Sequence, residues 1–137
     1  MPFKSPSTSL RDIWDAIGLI VEFTLGMDLE AFQQDAKTVA AVERKLLVIS
    51  EAAIRLGEQG PLLCPEIPWD KVRGTGNWLR HQYERINLET VWATVRNDLP
   101  PLKAAVVSAL ASAEVKPKGP SLVNFPSPSF PPVNASK

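Results

Sequence analysis

Between Val39 and Leu56 the apolar residues Val39, Val42, Leu46, Ile49, Ala53 and Leu56 recur at intervals of 3, 4, 3, 4 and 3. Only a helix lines up such a set, because it advances about 100° per residue whereas a strand changes face at every residue. A stripe of this length needs other helices to cover it. The chain supplies a second one, with Leu88, Trp92, Val95, Leu99, Leu102, Val106 and Ala109 spaced 4, 3, 4, 3, 4 and 3. No alternating run of strand type accompanies them. The expected fold class is all-α, a bundle of four to five helices.

With 137 residues, 45% of them hydrophobic, the chain has material for one core and too little length for two. The folded unit is expected over residues 9–113. Residues 1–8 read as a flexible arm, with Ser7, Thr8 or Ser9 as the cap of a first helix that ends at Gly26. A short connecting helix should follow the cap residue Asp28, pinned to the core by Leu29 and Phe32. The stripe helix should then end near Gly57 or Gly60. The segment Gly60 to Trp69 holds three prolines and reads as an extended crossover, with Trp69 plugged into the bundle. Asn87 is positioned to cap the last helix, and Pro100-Pro101 should kink or break it at Asp98 to Pro101. Residues 114–137 are rich in proline and serine without periodicity, and are expected to be disordered.

Fifteen basic residues balance fifteen acidic ones, so no global field attracts nucleic acid, and an anionic partner must meet a local cluster. Lys71, Arg73, Arg80 and Arg85, against Asp70 and Glu84, form such a cluster in sequence. Cys64 is the single cysteine, which leaves no internal disulfide and no cysteine-based metal site. The apolar segment 10–25 is interrupted by Arg11, Asp12, Asp15 and Glu22, against a membrane span or signal segment, and a cytoplasmic protein is expected.

The chemistry is concentrated in Arg73-Gly-Thr-Gly-Asn-Trp-Leu-Arg-His-Gln-Tyr83, which holds the only histidine and the only tyrosine. On a helix Asn77 and His81 share a face at i, i+4, with Arg80 about a quarter-turn away. Tyr83 falls roughly 200° from His81, so the two serve one site only if the helix ends there or Tyr83 reaches toward another chain. Gly74 and Gly76 each cost about 1 kcal/mol of helix propensity. Either they admit a close approach, as at a subunit contact, or the helix really starts at Thr75 or Asn77. Taken alone, a single helical histidine is most often a surface or packing residue, and Arg80 with Glu84 an ordinary i, i+4 pair. No glycine-rich phosphate loop or multi-histidine set points to a cofactor or a metal.

The pattern Ile67-Pro-Trp-Asp, Gly74-x-Gly-Asn77-x-Leu-x-His81-x-Tyr83, Val91-Trp92 and Asn97-Asp-Leu-Pro-Pro-Leu102 resembles the HepT-like branch of the HEPN superfamily. Gly26-Met-Asp28 and Ile49-Ser-Glu-Ala-Ala53 extend the similarity, which runs from about Leu10 to Ala111. It implies a helical bundle that dimerises through the motif helices. Active members of that family resemble metal-independent ribonucleases that act as toxins, neutralised when an MNT-type nucleotidyltransferase adenylylates the motif tyrosine. The resemblance therefore implies RNA as substrate, no cofactor, and Tyr83 as the acceptor of AMP.

Asn77, His81 and Tyr83 match the family motif, but its arginine falls on Gly76. That cation is expected to hold the scissile phosphate, and its loss would cost a thousandfold or more in rate on a barrier change of several kcal/mol. Arg73 or Arg80 is the expected substitute. His81 would take the proton of a ribose 2′-hydroxyl, and Asn77 would orient the imidazole or bind phosphate. The expected function is thus a homodimeric endoribonuclease toxin of a type VII-like pair, cutting RNA at a site composed from two chains. The alternative is a catalytically degenerate dimer that survives as binding partner and adenylylation target of the nucleotidyltransferase.

Overall fold

The computed structural model describes residues 5–81 and 87–115. Helix α1 spans Pro6–Phe23, where Ser5 caps by accepting the Thr8 N–H at 3.3 Å. Residues 6–8 are therefore the first turn of α1 rather than an arm, and the cap is Ser5 rather than Ser7, Thr8 or Ser9. Proline explains the difference: Pro6 needs no N–H partner at the first helical position, and it holds Ser5 in the extended conformation that a cap requires. Leu10, Ile13, Ala16, Ile17 and Ile20 face the core. The helix ends at Phe23 with Thr24 as its C-cap, before the expected Gly26, which at φ +78° turns the chain toward the next helix.

Asp28 caps α2, Leu29–Gln34, accepting the Ala31 N–H at 2.9 Å. Its Phe32 is fully buried, with its ring 5.0 Å from that of Trp92. Asp35 then caps α3, Ala36–Leu56, and the hydrogen bonds from Thr38 hold its carboxyl below the usual range. The predicted stripe of α3 is inside from Val42 through Leu46, Ile49 and Ala53 to Leu56. Gly57, at φ +53°, ends it.

The proline-rich crossover is not wholly extended. Its start forms α4, Gln59–Leu63, because Pro61 lies in the first turn, where an absent N–H breaks nothing. Trp69 does plug the bundle: it is 3% exposed, and its indole N–H donates to the Cys64 carbonyl at 3.0 Å. Its ring lies on Gly60, where a Cβ would come within 3.0 Å of it. The Cys64 thiol is buried and donates to the Ala105 carbonyl at 3.5 Å. Trp69 opens α5, Trp69–His81, which runs straight through both glycines, so the helix does not start at Thr75 or Asn77.

Asn87 caps α6, Leu88–Ala93, accepting from Glu89 N–H at 2.8 Å. The interruption expected at Asp98 to Pro101 takes the form of a π-helical turn over Thr94–Asp98, after which α7, Leu99–Val115, begins. The Leu99 N–H reaches back to the Thr94 carbonyl, five residues earlier. Pro100 and Pro101 have no N–H to give and their rings crowd the carbonyls four residues back, and a wider turn accommodates both facts without ending the rod. Residues 116–137, most of the expected tail, lie outside the described residues.

In the bundle α1 packs chiefly on α3 and α7, and α3 on α5. Arg55, near the end of α3, pairs with Asp12, early in α1, at 3.1 Å, so these two helices run antiparallel. No helix among the described residues is long and apolar enough to cross a membrane. The described residues thus form an all-α helical bundle.

Burial, with Glu66 adding to it, pushes the Cys64 thiol up to about 11. At pH 8 only about one molecule in a thousand carries the thiolate. Iodoacetamide should therefore label the native protein at least ~100-fold more slowly than the unfolded chain, as read by intact mass. Because the folded value is the raised one, stability is full below the ordinary thiol value and falls as pH rises from about 9 toward 11. Native labelling at the free-thiol rate would place Cys64 at the surface instead.

Candidate active site on helix α5

The α5 face turned to the core is set by Trp69, Gly76 and Leu79, all buried, with Val72 half-buried. The positions of Arg73, Asn77, Arg80 and His81 fall on an adjoining flank within about 100° of one another. Asn77 and Arg80 are exposed there and Arg73 is half-buried. His81 is the last residue of α5, and its side chain lies outside the described residues, as do Tyr83, Glu84 and Arg85. The structure thus brings Asn77, Arg80 and the backbone of His81 onto one flank.

Two cations differ from their expected places. Arg73 is tied to Asp70 of the preceding turn at 2.6 Å, so part of its charge is already answered. Lys71 does not join this flank. It lies about 160° round the helix from Arg73, at the mouth of a cleft of about 350 Å³ between α3, α5 and the start of α7. Leu46, Ile49 and Leu102 line the interior of that cleft, and Glu66 and Asp98 join Lys71 at its exposed edge. The sequence cluster is therefore split between two sides of α5. Among the described residues no three His, Cys, Asp or Glu side chains gather as a metal set.

Gly74 and Gly76 have different reasons to be small. Gly74 is exposed, and a Cβ there would meet nothing within 4 Å. Gly76 is buried against α3, and a Cβ on it would stand 2.6 Å from Ser50 Oγ, 3.0 Å from Ser50 Cβ and 3.1 Å from a Leu47 methyl. The close approach is to a helix of the same chain. Ser50, 1% exposed, donates its hydroxyl hydrogen to the Arg73 carbonyl at 2.7 Å and accepts the Gly76 N–H at 3.0 Å. In the sequence Ser50 stands only as part of Ile49-Ser-Glu-Ala-Ala53, and the sign of its role is a small hydroxyl residue four positions after Leu46, set into an otherwise apolar stripe.

A family model described as Ribonuclease HepT-like matches residues 13–109, which include all of α2 to α6 and most of α1 and α7. A Thermococcus cleftensis protein named "Probable ribonuclease HepT" is 39% identical over 100 residues, covering 73% of this chain and 91% of the relative. A Methanocaldococcus jannaschii protein provisionally named an RNase is 37% identical over 100 residues, or 73% of this chain and 83% of the relative. A second from that organism, named in the same way, is 31% identical over 116 residues, or 85% of this chain and the full length of the relative. No solved structure gives a significant match. The family model spans well over half of the residues, including all of α5 and α3, and on that ground the chain belongs to the HepT-like ribonuclease family.

Proposed function

We propose that the protein is a metal-independent endoribonuclease that works as a cytoplasmic homodimer, the toxin of a type VII-like pair whose antitoxin is an MNT-type nucleotidyltransferase. The observation that carries this reading is the α5 flank: Asn77 and Arg80 stand exposed on it, and His81 ends the helix one turn after Asn77. The family description and the names of the relatives support RNA as the substrate.

The reaction needs a 2′-hydroxyl, which makes RNA and not DNA the substrate. The His81 imidazole takes the 2′-hydroxyl proton, and the 2′-oxygen forms a bond to phosphorus. The bond from phosphorus to the 5′-oxygen breaks, and an imidazolium of the partner copy returns a proton to that oxygen. A 2′,3′-cyclic phosphate and a 5′-hydroxyl result. An imidazole near its ordinary value of about 6.5 can fill either role at neutral pH. Asn77 positions the imidazole or a phosphate oxygen, and an arginine offsets the charge on phosphorus. We assign that last role to Arg80, which stands exposed beside Asn77, whereas Arg73 is half-buried and engaged by Asp70.

A second reading is favoured by one observation, the glycine at the position of the motif arginine. In it the dimer no longer cuts RNA and remains a binding partner and adenylylation target of the nucleotidyltransferase.

Cleavage of single-stranded RNA in EDTA separates the two. The wild type should cut, His81→Ala should abolish cutting, and Arg80→Ala should lower kcat about a hundredfold or more, the scale for losing one transition-state charge partner. Arg73→Ala should cost less than Arg80→Ala. An inert wild type would leave the second reading, and cutting undiminished in His81→Ala would defeat the assignment of the base.

Gly76→Arg is not expected to restore activity. A side chain there starts inside van der Waals distance of Ser50, so overpacking by at least about 1–3 kcal/mol should lower the melting temperature. A Gly76→Arg variant as stable as wild type and faster at cutting would show that α5 turns freely enough to admit the side chain.

Tyr83 would be the acceptor for the partner enzyme, since AMP on its hydroxyl adds a bulky anion beside the cations that RNA phosphate needs. Mass spectrometry after incubation with an MNT-type nucleotidyltransferase and ATP should find the adduct on Tyr83. Adducts confined to other residues would reject the assignment.

A further inference from the structure

We infer that Ser50 is a positioning residue for this site: one hydroxyl of α3 grips two backbone groups of α5, the Arg73 carbonyl and the Gly76 N–H, and fixes the rotation at which α5 presents Asn77, Arg80 and His81. The inference rests on reading the α5 flank as a ribonuclease site, and it names a residue of a different helix as what holds that site in register.

The contact is built on both sides. A serine hydroxyl almost fully removed from water must find partners, and Ser50 finds a donor and an acceptor on the same facing helix, 23 and 26 residues away in sequence. Both partners are main-chain atoms, so no rotamer change on α5 can satisfy the hydroxyl in another way. The absence of a side chain at Gly76 is what lets the two helices come close enough. A Cβ would stand 2.6 Å from the Ser50 oxygen, and turning that oxygen away would release both hydrogen bonds.

The effect on chemistry comes through leverage. A rotation of α5 by about 20° carries a group about 6 Å from its axis through about 2 Å. Misplacing a catalytic group by about 1 Å can cost a hundredfold in rate. The grip lies between Arg73 and Gly76, within one and a half turns of every residue on the flank. Ser50 meets α5 through the main chain of Arg73 and Gly76, and it acts on the side chains of the flank only through the helix that carries them.

Two measurements on Ser50→Ala, Ser50→Thr, Gly76→Ala and the double variant Ser50→Ala/Gly76→Ala test this. In thermal unfolding, Gly76→Ala should lower the melting temperature less in the Ser50→Ala background than in wild type, because the atom it strikes first is gone. In cleavage assays well below the melting temperatures, Ser50→Ala should lower kcat about 30-fold or more with KM changed less than threefold, and Ser50→Thr, which keeps the hydroxyl, should recover most of the loss. A purely structural serine would lower the melting temperature and leave kcat alone, and that result overturns the inference. If the wild type does not cut RNA, the ribonuclease reading fails by itself, and the grip is still decided by unfolding: strictly additive losses in the double variant would overturn it.

Discussion

Two helices can approach closely only where one of them has no side chain, and α5 meets α3 at such a place. Gly76 brings its bare backbone to Ser50, and Ser50 answers with a bond in each direction. Leu79 and Val72 reach the core where the helix lies close to α3, while Trp69 at its start is held separately by Gly60 and the Cys64 carbonyl. A helix fastened at its first residue and again in its middle can carry polar and charged groups on its remaining flank without those groups contributing to its stability. That division of labour leaves Asn77 and Arg80 free of packing duties.

The same geometry changes the meaning of the missing motif arginine. A glycine at a site position suggests a lost function when only the sequence is in view. Here position 76 faces the neighbouring helix, and the charge it lacks has candidates on the adjoining flank. Those candidates are unequal, since Arg73 shares a surface ion pair with Asp70, and Lys71 is turned toward a separate cleft with its own carboxylates. Surface pairs of this kind are worth at most about 1 kcal/mol, so the Asp70 contact restrains Arg73 without locking it.

Much of the fold was legible because helix periodicity is a local property. The stripes of α3 and of the α6 to α7 rod, the caps Asp28 and Asn87, and the terminator Gly57 all act within a few residues of themselves. What was misread involved proline. Pro6 begins a helix and Pro61 sits in the first turn of another, because proline disrupts only the turn before it and is harmless where that turn has no bond to lose. The candidate site could be proposed from residue types alone, through His81, Asn77 and the arginines. The contact that seats it was not, since nothing in the local pattern links Ser50 to a glycine 26 residues later.

The π turn at Thr94–Asp98 has an effect that reaches beyond its own five residues. A wider turn advances fewer degrees per residue than an α-turn, so the apolar stripe beyond it is swung round the rod relative to the stripe before it. The first half then faces α2, where Trp92 meets Phe32, while the second half lies against α1. One continuous rod thereby serves as a swivelled spine for two neighbours that a straight α-helix with the same spacing would have to choose between. Removing a single residue from this turn would leave both halves helical and yet put one of them out of phase with its partner.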